Sequence, residues 1–251
     1  MNAEASRAAV DNRRDVIELR TDLAAAFRLA VRHGFHEGVC NHFSVMLDRD
    51  RFLINPRGVH WSRISASRVL VVDAAGTVIE GDGEPIRSGV CIHTRIHLGH
   101  PKARVVLHTH MPYATTLAAI AGGRIEPVHQ NALRFVGRCA YDDEFNGLAD
   151  TADEGDRMAR AMGDKPIMFL GNHGVVVVAD TIAKAYDDLY FLERTCQIQV
   201  MAMSTGRPLK RIPDEIAARG AVQFQSLGDG PEVHFAGLKE VLDREEPDYA
   251  S

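Results

Sequence analysis

The sequence predicts an α/β/α layered fold in which a mostly antiparallel central sheet is flanked by helices. Three observations carry this expectation. Two hairpin patterns lie in the first third of the chain, helical periodicities precede, separate and follow the strand patterns, and no repeat or low-complexity linker divides the 251 residues. One domain over 1–251 is therefore expected, with its core at about 15–205 and an irregular C-terminal extension at 206–251.

Residues 1–12 read as a loose polar tail. From Asp15 to His33, Val16, Leu19, Leu23, Phe27, Ala30 and Val31 recur every three or four positions, the pattern of an amphipathic helix, with Gly34 as its stop. Phe43–Leu47 and Arg51–Asn55 flank Asp48-Arg49-Asp50 as one hairpin, and Val69–Asp73 and Thr77–Glu80 flank Ala74-Ala75-Gly76 as a second. Ser88 is placed to cap a helix that runs to about Gly99. Val105 to His110 reads as a buried strand, and Pro112 starts a helix ended by Gly122-Gly123. After irregular sequence, Asp150 to Met162 reads as a helix. Pro166–Leu170 and Val175–Val178 read as strands around the turn Gly171-Asn172-His173-Gly174. A long helix then spans Thr181 to about Ser204, residues 206–233 look irregular, and a short helix covers His234 to Leu242.

Composition narrows the function classes. The chain is 45% hydrophobic and 25% charged with a net charge of −5, which excludes collagen-like, coiled-coil and wholly disordered readings. Neither nucleic acid nor an anionic membrane is an expected partner. Charged residues precede any apolar stretch at the N-terminus, and no run approaches the roughly 20 apolar residues of a membrane span. Cys40, Cys91, Cys139 and Cys196 lie far apart with no CxxC pair, so reduced thiols and a cytoplasmic location are expected.

The unusual feature is twelve histidines. His108 and His110 lie two apart on an expected strand, which places both on one face about 7 Å apart along the chain. Such a pair can converge on one metal ion, although a lone HxH on a strand is more often a packing or surface feature. His173, between Asn172 and Gly174 in a tight turn joining two aliphatic strands, is the best third candidate, with Gly174 giving the backbone its freedom. Three imidazoles with an open position suit Zn²⁺, Mn²⁺, Co²⁺ or Fe²⁺. His93 and His97 form a rival pair at i and i+4 but lack the glutamate of HExxH, and read as helix-face groups packed near the site. His33, His36, His60, His100 and His234 read as solvated or locally bonded.

Five segments resemble, in order and spacing, the class II aldolase/adducin family: Cys40-Asn41-His42-Phe43-Ser44, Leu53 to Gly58, Val106 to His110, Leu170 to Gly174, and Leu189–Gln199 with Glu193-Arg194-Thr195-Cys196-Gln197. The resemblance covers about residues 20–205. It implies the α/β/α fold, one divalent transition metal per subunit on His108, His110 and His173, and a homotetramer with active sites at subunit interfaces. The family's aldolases place an acid/base glutamate four residues before the histidine matching His93. Here Gly89 stands at that position, and Glu84 is displaced by five. A standard retro-aldol mechanism therefore lacks its proton-moving carboxylate.

The common part of the family chemistry, a metal stabilising an enolate-like intermediate as a carbon–carbon bond breaks, also serves decarboxylation. The pattern is similar to a branch that decarboxylates hydroxylated aromatic or pyridine dicarboxylates, of the type 3-hydroxy-2-methylpyridine-4,5-dicarboxylate decarboxylase. A small anionic aromatic substrate is expected to meet Arg57 beside Gly58 and Arg87 before Ser88, both suited to bidentate carboxylate contacts, with Asn41 as a further substrate-binding candidate. His42, Glu37, His129, Tyr141 and a metal-bound water are the candidates for the missing acid. The alternatives are an aldolase or epimerase acting on a sugar-phosphate-like hydroxy-ketone, which requires Glu84 or Glu37 to replace the lost glutamate, and a non-catalytic adducin-type scaffold.

Overall fold

Alternation of side chains along eight strands sorts the hydrophobic residues onto the two sides of one sheet. The computed structural model describes the backbone from Ala3 to Ser251 and side chains from Arg14 onward. The strands are β1 (His42–Met46), β2 (Phe52–Ile54), β3 (Leu70–Val72), β4 (Val78–Glu80), β5 (Val105–Thr109), β6 (Cys139–Asp142), β7 (Ile167–Leu170) and β8 (Gly174–Ala179), in the order β4-β3-β2-β1-β5-β8-β7-β6. Every neighbouring pair is antiparallel except β6 and β7. Both expected hairpins form, β1–β2 and β3–β4.

One side of the sheet is covered by helix α1 (Ala3–His33), by α5 (Ile182–Ser204) and by the C-terminal segment. Leu23, Phe27, Phe43, Val45, Leu107, Val177, Leu189 and Leu192 form the main core there. Gly34, at φ +72°, ends α1 in the left-handed conformation that glycine adopts without steric cost. Its following residue bonds back, Phe35 N–H to the Ala30 carbonyl at 2.8 Å. The other side is covered by α2 (Arg87–Gly99) and α4 (Ala152–Met162), where Ile92, Ile96, Val106, Met158, Val176 and Val178 make a second core. These two helices approach closely because residue 155 is glycine: a Cβ there would sit 2.3 Å from the Cys91 carbonyl oxygen. Helix starts carry the expected chemistry. Thr151 accepts from Glu154 N–H, Thr181 accepts from Lys184 N–H, and Pro112 opens α3 (Pro112–Ala118).

Four expectations are corrected. The polar stretch read as a tail is helical from Ala3, as the N-terminal part of α1; residues 1 and 2 lie outside the described residues. Ser88 lies inside α2 and makes no cap. The irregular region after Gly123 contains β6, the edge strand parallel to β7. The C-terminal extension is not irregular: it forms α6 (Asp214–Gln225) and α7 (Gly230–Glu245). Phe235, Leu242 and Tyr249 enter the main core, and buried Arg28 bonds the Ile64 carbonyl while pairing with Glu246 and Asp248. No described helix is long and apolar enough to cross a membrane.

Candidate metal centre

Register brings the histidines together. On β1, Phe43 and Val45 face the α1 side, so His42 and Ser44 face α2. On β5, Leu107 faces α1 and His108 faces α2. His42 and His108 are direct cross-strand partners, and their rings stack with centroids 4.8 Å apart. His110 follows the end of β5, and His173 arrives from the β7–β8 turn. The ring centroids of His108, His110 and His173 lie 4.8, 4.9 and 5.0 Å apart, and one nitrogen from each falls within 4.8 Å of the others.

Two of these rings have their hydrogens fixed by acceptors. His108 Nδ1–H donates to the Val175 carbonyl at 3.0 Å, and His110 Nδ1–H donates to the Glu37 carboxylate at 2.5 Å. With one hydrogen on each ring, both present a bare Nε2, and these two atoms stand 3.1 Å apart. A shared cation resolves that repulsion, so the donor set fits a divalent transition ion. Sequence reading placed Glu37 among the acids. The structure instead engages it as the carboxylate that orients His110.

The turn that delivers His173 is built from its neighbours. Asn172 adopts φ +56°, which asparagine tolerates better than most residues. Gly174 is required for a reason other than backbone freedom. A Cβ there would meet the Thr109 carbonyl oxygen at 2.5 Å and the His110 ring at 2.8 Å. The segment after His110 is anchored from α5, where buried Glu193 accepts the Tyr113 and Ala114 N–H groups, both at 2.9 Å.

Behind His108, the α2 histidines join a buried chain. His42 Nδ1 lies 2.8 Å from His93 Nε2, His93 Nδ1 lies 2.5 Å from Ser44 Oγ, Ser44 Oγ lies 2.7 Å from His97 Nε2, and His97 Nδ1 lies 2.6 Å from the Ala103 carbonyl. Neither His93 nor His97 joins the three-histidine cluster. Gly89 leaves the room His42 occupies, since a Cβ at position 89 would lie 2.9 Å from His42 Cγ.

The centre opens into a cavity of about 1230 Å³. His42, Glu37, Arg57, Gly58 and Ser88 line it beside the three-histidine cluster, and Ile86, Ile92, Phe145 and Leu148 give it apolar surface. Other expected site residues do not reach it. Arg87 is exposed and donates to the Asp150 carbonyl at 3.1 Å. Asn41 is buried under the cavity wall, with its Oδ1 accepting Glu37 N–H at 2.8 Å. His129 caps the 3₁₀ turn at Gln130–Phe135 by accepting Asn131 N–H. Tyr141 accepts Ile125 N–H, and Glu84 is exposed, its carbonyl accepting Arg57 N–H. Of the histidines read as solvated or locally bonded, His33 bonds the Tyr186 hydroxyl at 2.8 Å.

So many buried imidazoles make stability depend on pH. Burial pushes His97 down to about 4, against a smaller opposing pull from the Ala103 carbonyl; burial also pushes His33 and His173 down to about 4. Between about pH 6.5 and 4 the unfolded chain binds more protons than the folded one, so stability falls as pH drops through that window. Fully buried His97 alone accounts for about 2 kcal/mol by pH 5. Urea midpoints measured from pH 7.5 to 4.5 are expected to decline steeply below 6.5, and a flat profile would contradict this burial.

An eight-stranded sheet sandwiched by helices, with three histidines meeting at a cavity beside its central strands, has the architecture of the class II aldolase fold. The family described as "Class II Aldolase and Adducin N-terminal domain" matches residues 21–200, and the chain belongs to it. An aldolase II superfamily protein from Pseudomonas syringae superposes with a TM-score of 0.87 at 33% identity, covering 94% of this chain and 96% of that one. The L-fuculose 1-phosphate aldolase of Glaciozyma antarctica PI12 superposes with a TM-score of 0.81 at 25% identity, covering 94% and 92%. Human β-adducin is 30% identical over 247 residues, 90% of this chain but only 33% of the adducin.

Proposed function

We propose that the protein is a divalent-metal-dependent carbon–carbon lyase that decarboxylates a hydroxylated aromatic or pyridine carboxylate. The observation that carries this reading is the meeting of the His108 and His110 Nε2 atoms with His173 at a cavity, while the position beside His42 is Gly89 and supplies no carboxylate. His108, His110 and His173 would hold the ion, Mn²⁺, Zn²⁺, Co²⁺ or Fe²⁺, and the Val175 carbonyl and Glu37 keep two of the rings in the ligating tautomer. When bound, the ion supplies Lewis acidity toward an oxygen next to the breaking carbon–carbon bond. Arg57 carries the substrate's carboxylate, since among the described residues no acidic side chain pairs with its guanidinium. Ile86, Ile92, Phe145 and Leu148 accept the face of a planar ring, and Ser88 offers a hydroxyl at the rim. His42, stacked on His108, is the side chain placed to meet the substrate's polar atoms. The same reading makes the active species a cytoplasmic homotetramer with its sites at subunit interfaces. Exposed Ile198, Met201, Ile216 and Val222 on α5 and α6 provide apolar surface for association.

A second reading, an aldolase or epimerase on a phosphorylated hydroxy-ketone, is favoured by Glu37, a carboxylate that does line the cavity. One assay separates the two. Metal-loaded protein is incubated with a panel of ortho-hydroxy arene and pyridine (di)carboxylates and, separately, with sugar phosphates. The expected result is CO₂ release from at least one hydroxy-carboxylate, with none after chelation. Cleavage of a sugar phosphate that disappears in Glu37→Gln, with no CO₂ from the panel, would overturn the decarboxylase reading. A protein without a bound transition metal and indifferent to chelator would point to a scaffold.

A further inference from the structure

The hydrogen-bond chain behind the centre has a direction, and that direction is set at its far end. The Ala103 carbonyl can only accept, so His97 Nδ1 carries the hydrogen of their 2.6 Å contact. Each ring of the chain is at most 3% exposed and none meets a carboxylate, so each carries a single ring hydrogen. His97 Nε2 is then an acceptor, and the single hydrogen of Ser44 Oγ must go to it. Ser44 Oγ has only lone pairs left for His93, so His93 Nδ1 is the donor across 2.5 Å. His93 Nε2 is consequently bare and accepts from His42 Nδ1–H across 2.8 Å. One hydrogen per link satisfies the whole chain, and every member is at most 3% exposed.

The last link determines what the cavity meets. With Nδ1–H tied back to His93, the nitrogen of His42 left to the cavity is Nε2, without a hydrogen and without a protein partner among the described residues. It also stands outside the three-nitrogen cluster of His108, His110 and His173. The ring cannot tilt away. His108 stacks on it at 4.8 Å, His93 meets it edge-on at 4.6 Å, and the space beside position 89 is so close that a Cβ there would lie 2.9 Å from His42 Cγ.

We infer that Ser44, His93 and His97 are positioning residues that act through His42: a wire anchored on the Ala103 carbonyl locks His42 as the Nδ1–H tautomer, so that Nε2 accepts a hydrogen bond from the ring hydroxyl of the substrate. The substrate clause rests on the reading of the preceding subsection, whereas the tautomer rests on this hydrogen-bond chain alone. A specificity consequence follows. An ortho-hydroxy carboxylate brings a donor to the bare nitrogen. Its O-methyl ether brings only lone pairs and leaves a half-enclosed acceptor facing an acceptor.

The test uses full-length Zn²⁺-loaded protein labelled with ¹⁵N-histidine, with the His42 signals assigned by their loss in His42→Gln. Solid-state ¹⁵N spectra are expected to show His42 protonated on Nδ1 and not on Nε2. Ser44→Ala removes the acceptor of His93, freeing that ring to carry its hydrogen on Nε2 and reverse the link. The His42 hydrogen is then expected to move wholly or partly to Nε2, while Ser44→Thr retains the wild-type signal. In the same variants, the preference for binding hydroxy- over methoxy-arene carboxylates is expected to shrink about tenfold in Ser44→Ala. It should recover in Ser44→Thr, with zinc content unchanged throughout and Ser44→Ala melting lower because it leaves buried ring nitrogens unpaired. A wild-type His42 protonated on Nε2, or a Ser44→Ala spectrum identical to wild type, would overturn the wire. Failure of every hydroxy-arene carboxylate to bind would remove the substrate clause and the proposed function, and would leave the tautomer result standing.

Discussion

His173→Ala is expected to strip the protein of its divalent ion and abolish turnover while leaving the fold intact. His173 sits in the half-exposed β7–β8 turn and belongs to none of the hydrophobic clusters, so its loss opens no core cavity. Its ring contacts are the other two histidines of the centre, with centroids 4.8 and 4.9 Å away. Loss of an outer partner commonly costs 10–100-fold in metal affinity, and loss of a ligand itself should exceed about 100-fold. The metal-free protein should change in stability by no more than about 0.5 kcal/mol, as for substitutions away from packed positions. Elemental analysis and melting curves with and without chelator check both parts. A metal-free variant that melts far below metal-free wild type would mark the cluster as structural rather than catalytic.

Gly89→Glu is expected to damage the site rather than convert it into an aldolase. Its Cβ would lie 2.9 Å from His42 Cγ, and His42 is held by the ring of His108 on one side and by its bond to His93 on the other. Overpacking of this kind costs about 1–3 kcal/mol, and it would be relieved by shrinking the partner. The double variant Gly89→Glu/His42→Ala should therefore be more stable than the sum of the two single changes by about 1 kcal/mol or more. Urea denaturation of the four proteins measures the coupling directly. Additivity would show that the two positions do not compete for one space.

The long α5 is readable because its period repeats over enough residues to exclude the other period and Thr181 caps it, whereas the hairpins, with three strands of only three residues, are readable from the turns Asp48-Arg49-Asp50 and Ala74-Ala75-Gly76 between apolar runs. β6 was not readable. It is a four-residue edge strand whose first three residues are only half-buried, and its partner β7 is far along the chain. α6 was masked by the Gly and Pro around it, although Pro213 followed by Asp214 and Glu215 is itself a helix-start signal. Residues 1–12 carry no apolar periodicity, so their sequence reads as a tail; the helix that begins at Ala3 is stabilised further along, where Leu23 to Ala30 are buried.

The site divides in the same way. The HxH pair and the turn histidine carry a local spacing signal, and the structure brings them together. The wire from His42 to Ala103 alternates between β1 and α2, so no spacing within one element announces it. Arg87 and Ser88 followed from proximity in sequence. A single step along α2, about 100° around its axis, separates their fates, since Ser88 lines the cavity and Arg87 turns to the Asp150 carbonyl. Glu37 was legible as a nearby acid, but its role as the partner of His110 depends on contact across 73 residues.

The central claim is that His108, His110 and His173 hold one divalent ion. It is tested most directly by an anomalous difference map from crystals of metal-replete protein, collected on either side of the absorption edge of the metal found by elemental analysis. The account predicts a single strong peak bonded to a ring nitrogen of each of the three histidines, with Glu37 still on His110 Nδ1. An empty cluster, or an ion bound elsewhere while the three rings bond only to protein, would contradict it.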